Sequence, residues 1–186
     1  MLVDLCRDSP SDPYIRVDDL LLNAERRAAQ GRYDDAIART YRALELAAQT
    51  RLKTKYSLDT SDADLEKVPE GLRSSLEAYR SEDGQIRIPL FAAWRLLSDI
   101  EDEAFGKWFQ TNKGKVQDFL GTRNMSILAH GNQPIGKADF EAKGRAGISL
   151  CREALASIPR AQRNARSVPQ LPTKLRILER PAGMKV

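Results

Sequence analysis

LLLNAERRAAQGRYDDAIARTYRALELAAQTRL, residues 20–52, decides the fold. Leu20, Leu21, Ala24 and Ala28 recur at helical spacing behind Asp18 and Asp19, two carboxylates where a helix N-terminus favours them, and the run stops at Gln30-Gly31. A second run begins at once. Ile37, Tyr41, Leu44, Ala48 and Leu52 form an i, i+4, i+7, i+11, i+15 stripe, which predicts a helix from about Tyr33 to Lys55. Two amphipathic helices closed by a glycine turn must bury their apolar stripes against further helices.

Working outward, the turn AERRAAQGRYDDAIA (24–38) is similar to a tetratricopeptide hairpin. No second copy follows about 34 residues on, which argues against a repeat array. Between Tyr14 and Ile158 the only prolines are Pro69, Pro89 and Pro134, so long stretches are free to be helical. Ser57 to Val68 reads as a polar loop, and Pro69 opens a short helix through Leu72, Leu76 and Tyr79. After the turn at Glu82-Asp83-Gly84, the residues Phe91, Trp94, Leu97 and Ile100 mark a helix from about Leu90 to Asp102. A shorter piece surrounds Phe105, Trp108 and Phe109, and Val116, Phe119, Leu120, Ile127 and Leu128 continue helically through Gly121. A last helix from about Ala138 to Ile158 buries Phe140, Ile148, Cys151 and Leu155, while strand character is confined to Gln85–Ile88. The pattern predicts an all-α bundle of five to seven helices. The domain reading is an N-terminal extension over 1–17, a helical domain over 18–158 and a basic, proline-containing tail over 159–186.

Composition narrows the chemistry. The chain has 186 residues, 41% of them apolar, enough for one core, but only one histidine, His130, and two distant cysteines, Cys6 and Cys151. A zinc site needs about four N, S or O ligands in closely spaced pairs, so these counts point away from zinc chemistry and from a disulfide scaffold. No window reaches the roughly 18 apolar residues of a membrane span, and Met1–Arg16 lacks the apolar run of a signal peptide; a soluble, cytoplasmic protein is expected. Each Gly-Lys pair is followed by Trp108, Val116 or Ala138 where a phosphate loop needs Ser or Thr, so no nucleotide cofactor is expected. Asp34-Asp35, Asp62/Asp64 and Glu101-Asp102-Glu103 sit at expected helix ends or loops, where dipole complementation explains them better than a metal. The net charge of +4 is uneven: residues 160–186 hold seven Lys or Arg against Glu179 alone, and the first 159 residues sum to −2. Such a tail can contact RNA phosphates or merely be a solvated segment.

One constellation carries chemistry. In RNMSILAHG (123–131) the lone histidine follows Arg123 by seven residues, and Asn124 sits beside the arginine. On a continuing helix that spacing places the two side chains about 20° apart around the axis and about 10.5 Å along it. A guanidinium and an imidazole on one face can bracket a phosphate, the first carrying developing charge and the second moving a proton near neutral pH. On spacing alone, a capping or core-satisfied histidine fits as well.

The same stretch resembles the R-x(4–6)-H signature of HEPN-domain ribonucleases, with Arg123 and His130 at the signature positions and Asn124 as the polar residue after the arginine. The hairpin 20–52, LDTSDADLEKVPE (58–70) and ILAHGNQPI (127–135) are similar to the HEPN half of the CARF–HEPN ribonucleases of type III CRISPR systems, a resemblance covering about Asp18 to Ile158. It implies a HEPN-like bundle and a metal-independent endoribonuclease that cleaves single-stranded RNA at a homodimer interface, leaving a 2′,3′-cyclic phosphate. It also implies roles: His130 for proton transfer, Arg123 for the charged transition state, Asn124 to position Arg123 or the phosphate. Lys137 and Lys143, on or at the following helix, are candidate RNA contacts, although solvated surface lysines fit them too. Those relatives sense cyclic oligoadenylate through an N-terminal CARF domain that is missing here, so a separate HEPN domain or a fragment of a longer protein is expected.

Acid–base cleavage of RNA commonly uses one proton acceptor and one donor. A chain with one imidazole supplies two only by pairing with its own copy across a two-fold axis. Two other readings compete: a non-catalytic helical dimerisation or adaptor module, and the HEPN toxin of a toxin–antitoxin pair.

Overall fold

The computed structural model describes residues 12–128, 133–159, 162 and 163. Its helices are α1 (Ile15–Ala29), α2 (Tyr33–Tyr56), α3 (Glu70–Glu77), α4 (Leu90–Asp99), α5 (Phe105–Met125), α6 (Lys137–Asp139) and α7 (Arg145–Ala156). A 3₁₀ turn (Leu65–Lys67) precedes α3, and a π turn (Phe140–Gly144) runs without a break from α6 into α7. The fold is all-α; among the described residues the only sheet-like pairings are single bridges, Arg80 with Ile86 and Ser126 with Gln133.

The α1–α2 hairpin forms as the apolar pattern requires. Gly31 closes it at φ 73°, a left-handed conformation open to glycine without a side-chain clash. Ile37, Leu44, Ala48 and Leu52 of the predicted stripe are fully buried, and Leu21 and Ala24 face them from α1. Across the stripe lies α4. Its Trp94 is fully buried among Phe105, Trp108 and Phe109, and its indole N–H donates to the Leu44 carbonyl at 3.1 Å. That bond satisfies a polar atom that burial would otherwise strand.

Helix α7 closes the bundle over α2 and α5. At Gly147 an added Cβ would collide with the Phe119 ring, so this glycine lets α7 approach α5 closely. Gly106 does the same between α5 and the end of α4, where a Cβ would lie 2.5 Å from the Leu97 carbonyl oxygen.

Several expected boundaries move. Helix α1 starts at Ile15, earlier than Asp18, because the Tyr14 N–H bonds the Asp12 carboxylate at 2.9 Å and Tyr14 itself is buried. Helix α4 stops at Asp99, and the two pieces expected around Phe105 and Val116 are one helix that runs through Gly121. That helix ends at Met125, short of Leu128. Gln85–Ile88, too short to build a sheet, makes a single bridge, Ile86 with Arg80, and the last helix ends at Ala156. Cys151 is buried in α7, and burial pushes its thiol far above the ordinary range, which makes it an inert core residue. Cys6 and nearly all of the basic tail lie outside the described residues.

One polar cluster joins helices inside this apolar frame. Arg51, on α2, is almost fully buried and donates to Asp102 at 2.8 Å, Glu103 at 2.9 Å and Gln162 at 2.7 Å. Asp102 also accepts from the Tyr56 hydroxyl at 2.8 Å and from the Phe105 N–H at 2.8 Å, at the start of α5. Burial pushes its carboxyl up, but the bonds from Arg51, Tyr56 and Phe105 together outweigh that and hold it below its ordinary value. The end of α2 is thereby tied to the beginning of α5.

Candidate active site

Arg123 occupies the last turn of α5, where the partial negative charge of the helix end favours a cation. Its guanidinium lies over the Tyr41 ring, 4.5 Å from the centroid, and its Nη1 donates to Asn124 Oδ1 at 3.2 Å. Ring and amide restrict the arginine from two sides while leaving it half-exposed. Burial, followed by the Glu45 charge, raises the Tyr41 phenol above its ordinary value, so it stays neutral at neutral pH beneath the guanidinium. Arg123 and Asn124 are thus brought together as the sequence suggested.

The helix that was expected to carry both halves of the signature does not reach the second. At Ser126 the backbone turns extended, φ −66° and ψ 144°, so the helical register relating Arg123 to position 130 does not hold past Met125. The physical reason is local: the Ser126 hydroxyl donates to Asp34 Oδ1 at 2.6 Å and accepts from the Leu128 N–H at 3.3 Å, replacing helical bonding. Further along, the Ile135 N–H donates to Asp34 Oδ2 at 3.0 Å, and Ser126 bridges Gln133. His130 itself lies outside the described residues, together with positions 129, 131 and 132.

Beside this turn the surface is apolar. Met125, Ile127 and Leu128 are 55%, 48% and 55% exposed, and only Tyr79 joins them as an exposed large apolar side chain among the described residues. Met125 also borders a groove of about 770 Å³ between α5 and α7, with Phe119 and Leu150 as apolar walls and Lys115, Asp118 and Lys143 at its margins. Lys143 is therefore on the same side of the molecule as the end of α5. Lys137 is exposed at the start of α6 and does not line that groove.

Two residues of the site were missed by sequence reasoning. Tyr41 belongs to the apolar stripe of α2 and was read only as core; its ring face in fact seats Arg123. Asp34 was read as a helix-end carboxylate, which it is, but its two oxygens also hold Ser126 and Ile135. The spacing of Asp34 and Tyr41, seven residues on one helix, places both on one face and could have raised the question.

No helix among the described residues is long and apolar enough to cross a membrane. Neither a curated protein nor a solved structure matches the chain. A family description does: the Csm6 HEPN domain matches residues 8–152, an interval that takes in the hairpin, the Arg123 turn and the helices packed behind it. An all-α bundle, an arginine seated at the end of α5 and a match over most of the chain agree, and the chain belongs to the Csm6 HEPN-domain family.

Proposed function

We propose that the chain is a metal-independent endoribonuclease that cleaves single-stranded RNA at a homodimer interface, as the effector domain of a CRISPR-associated ribonuclease. Membership of the Csm6 HEPN family supports a ribonuclease. The observation that carries the site is Arg123, half-exposed at a helix end and held by Tyr41 and Asn124, in a position to meet an anionic ligand.

In the proposed step the ribose 2′-O attacks the adjacent phosphorus as its proton passes to a base. The P–O5′ bond breaks, and the leaving 5′-oxygen takes up a proton, so the products are a 2′,3′-cyclic phosphate and a 5′-hydroxyl. His130 is the proton-transfer group, one imidazole from each copy giving acceptor and donor. Arg123 neutralises charge building on the non-bridging oxygens, and Asn124 keeps its guanidinium oriented. Lys143, and less directly Lys137, would meet flanking phosphates.

Support for a second copy comes from the exposed Met125, Ile127 and Leu128 directly beside Arg123. An apolar patch next to a charged catalytic turn is what a two-fold interface around a shared cleft would bury. The same patch favours the competing reading, a helical dimerisation module without catalysis. Activity measured across a dilution series separates them: specific RNA cleavage should fall as the dimer dissociates, and Arg123→Ala and His130→Ala should abolish cleavage while both variants remain dimeric and helical. A dimer that cleaves no RNA would leave the adaptor reading, and cleavage unaffected by both variants would end the proposal.

A further inference from the structure

Two residues beyond α7 reach back to the beginning of the bundle. The Gln162 N–H donates to the Pro159 carbonyl at 2.8 Å, and its side-chain Oε1 accepts from Arg51 Nη1 at 2.7 Å. Arg163 Nε donates to Asp12 Oδ2 at 3.1 Å, and its Nη2 donates to Asp18 in the first turn of α1. The other oxygen of Asp12 accepts from the Tyr14 N–H at 2.9 Å. The side chains of Arg163 and Asp12 are 18% and 4% exposed, so their pair is largely withdrawn from water, where removing one partner strands the other's charge. One guanidinium thereby joins the chain before α1, the first turn of α1 and the chain after α7.

The same two residues touch the tie between α2 and α5. Arg51 gives Nε to Asp102 and Nη2 to Glu103, and its remaining nitrogen, Nη1, goes to Gln162. On the other flank the buried Tyr14 lies edge-on to Phe105, the first residue of α5, with ring centroids 5.9 Å apart. Both flanks of the bundle thus converge on the beginning of α5, the helix that carries Arg123 in its last turn about 27 Å away.

We propose that Gln162 and Arg163 form a latch that holds both flanks of the bundle against the beginning of α5, so that releasing either flank loosens the junction of α2 with α5 and, through that rigid helix, the placement of Arg123. A polar network joined to a rigid helix is a physical route for such coupling. The latch itself is independent of the ribonuclease reading, whereas its effect on cleavage rests on that reading.

A second ion pair between α1 and α7 provides the control. Arg152 of α7 pairs with Glu25 of α1 at 2.9 Å, but both side chains are well exposed, and among the described residues neither bonds to Asp12 or to Arg51. A merely stabilising role for charge pairs between these helices would make Arg152 and Arg163 equivalent.

The experiment follows amide hydrogen exchange of the full chain by NMR, together with kcat and KM for a single-stranded RNA, in wild type, Arg163→Ala, Gln162→Ala and Arg152→Ala. Arg163→Ala and Gln162→Ala should each speed exchange at the end of α2 and at Phe105 and Trp108 of α5 by about tenfold, while Trp94 of α4 and Cys151 of α7 keep their wild-type rates. In both variants kcat should fall about two- to fivefold with KM unchanged, and Arg152→Ala should do neither. Exchange unchanged in α5, acceleration spread evenly over the bundle, or an equal response to Arg152→Ala would overturn the latch. Faster exchange in α5 with kcat unchanged would overturn the coupling to Arg123. Should Arg163→Ala fail to fold, Gln162→Ala, which leaves both ion pairs of Arg163 in place, decides by the same criteria. A wild type that cleaves no RNA, yet whose α5 amides respond to Arg163 and Gln162 alone, would refute the ribonuclease reading and uphold the latch; a wild type that cleaves and whose α5 amides do not respond would do the reverse.

Discussion

Replacing Asp102 with Ala removes the buried carboxylate through which the end of α2 bonds to the first backbone N–H groups of α5. The side chain is fully buried, and it accepts from Arg51 Nε at 2.8 Å, the Tyr56 hydroxyl at 2.8 Å and the backbone N–H groups of Phe105 at 2.8 Å and Ala104 at 3.2 Å. In the variant Arg51, whose side chain is 4% exposed, keeps only Glu103 and Gln162 as partners, and the first N–H groups of α5 lose their acceptor. Breaking a buried pair from one side costs about 3–5 kcal/mol, and the surviving Glu103 contact places this case near the lower end, about 3 kcal/mol. Asp102→Asn keeps an acceptor for the helix start and loses the charge, so about 2 kcal/mol is expected, the worth of a hydrogen bond to a charged group. Urea unfolding of the purified chain, followed by helical circular dichroism, reads both values from a shift in midpoint at unchanged m. A double variant, Arg51→Met with Asp102→Leu, should recover most of the loss, because it removes both charges together. A loss below about 1 kcal/mol in Asp102→Ala, or a double variant less stable than either single one, would refute the assignment of this pair as the tie between the two helices.

Further outcomes follow from other contacts. Tyr41→Leu should lower RNA cleavage about two- to fivefold, the worth of a cation–π contact of about 0.5–1 kcal/mol, whereas Tyr41→Phe keeps the ring and should retain the rate; steady-state kinetics on one RNA decides it. Gly147→Ala should destabilise the fold by about 1–2 kcal/mol in urea, since the collision with Phe119 outweighs the gain of about 1 kcal/mol in helix propensity. Leu128→Asp with Ile127→Asp should weaken self-association by about tenfold or more in sedimentation equilibrium, with the helical spectrum retained. The Asp102 carboxyl is held below its ordinary value in the fold, so its contribution to stability is present above about pH 4 and is lost as pH falls towards its folded pKa; Asp102→Asn should flatten that acid limb of the stability–pH profile.

The fold was largely readable because its hairpin is written in local terms. The stripe Ile37, Leu44, Ala48, Leu52 has one helical period, Gly31 one conformational demand, and both are met. What periodicity could not show is where α5 ends. Met125, Ile127 and Leu128 continue the apolar pattern of Val116 and Phe119, yet they are exposed, and the break is made by a serine whose partner, Asp34, lies 92 residues away. Arg51 is a similar case: it falls among apolar neighbours on α2, and only the fold brings Asp102 against it. The candidate site divides along the same line. Arg123 and Asn124 were visible as a short motif, whereas Tyr41 and Asp34 act through contacts that span 82 and 92 residues and look locally like an ordinary core ring and an ordinary helix-end acid.

These long-range ties also suggest why the site sits where it does. The α2 helix meets the beginning of α5 through Arg51 and Asp102, the end of α5 through Tyr41 and Arg123, and the loop beyond it through Asp34. A single 24-residue helix therefore sets both ends of α5. A reacting group placed by rigid elements keeps its geometry better than one held by loops alone, which is the condition for a well-oriented phosphate contact.

Acid–base cleavage of RNA by this bundle without a metal can be read from the product ends when wild-type protein and its His130→Ala variant are incubated with single-stranded RNA in EDTA. Wild type should give fragments bearing 2′,3′-cyclic phosphate and 5′-hydroxyl ends, and the variant none. Cleavage abolished by EDTA, 5′-phosphate ends, or equal cleavage by His130→Ala would contradict it.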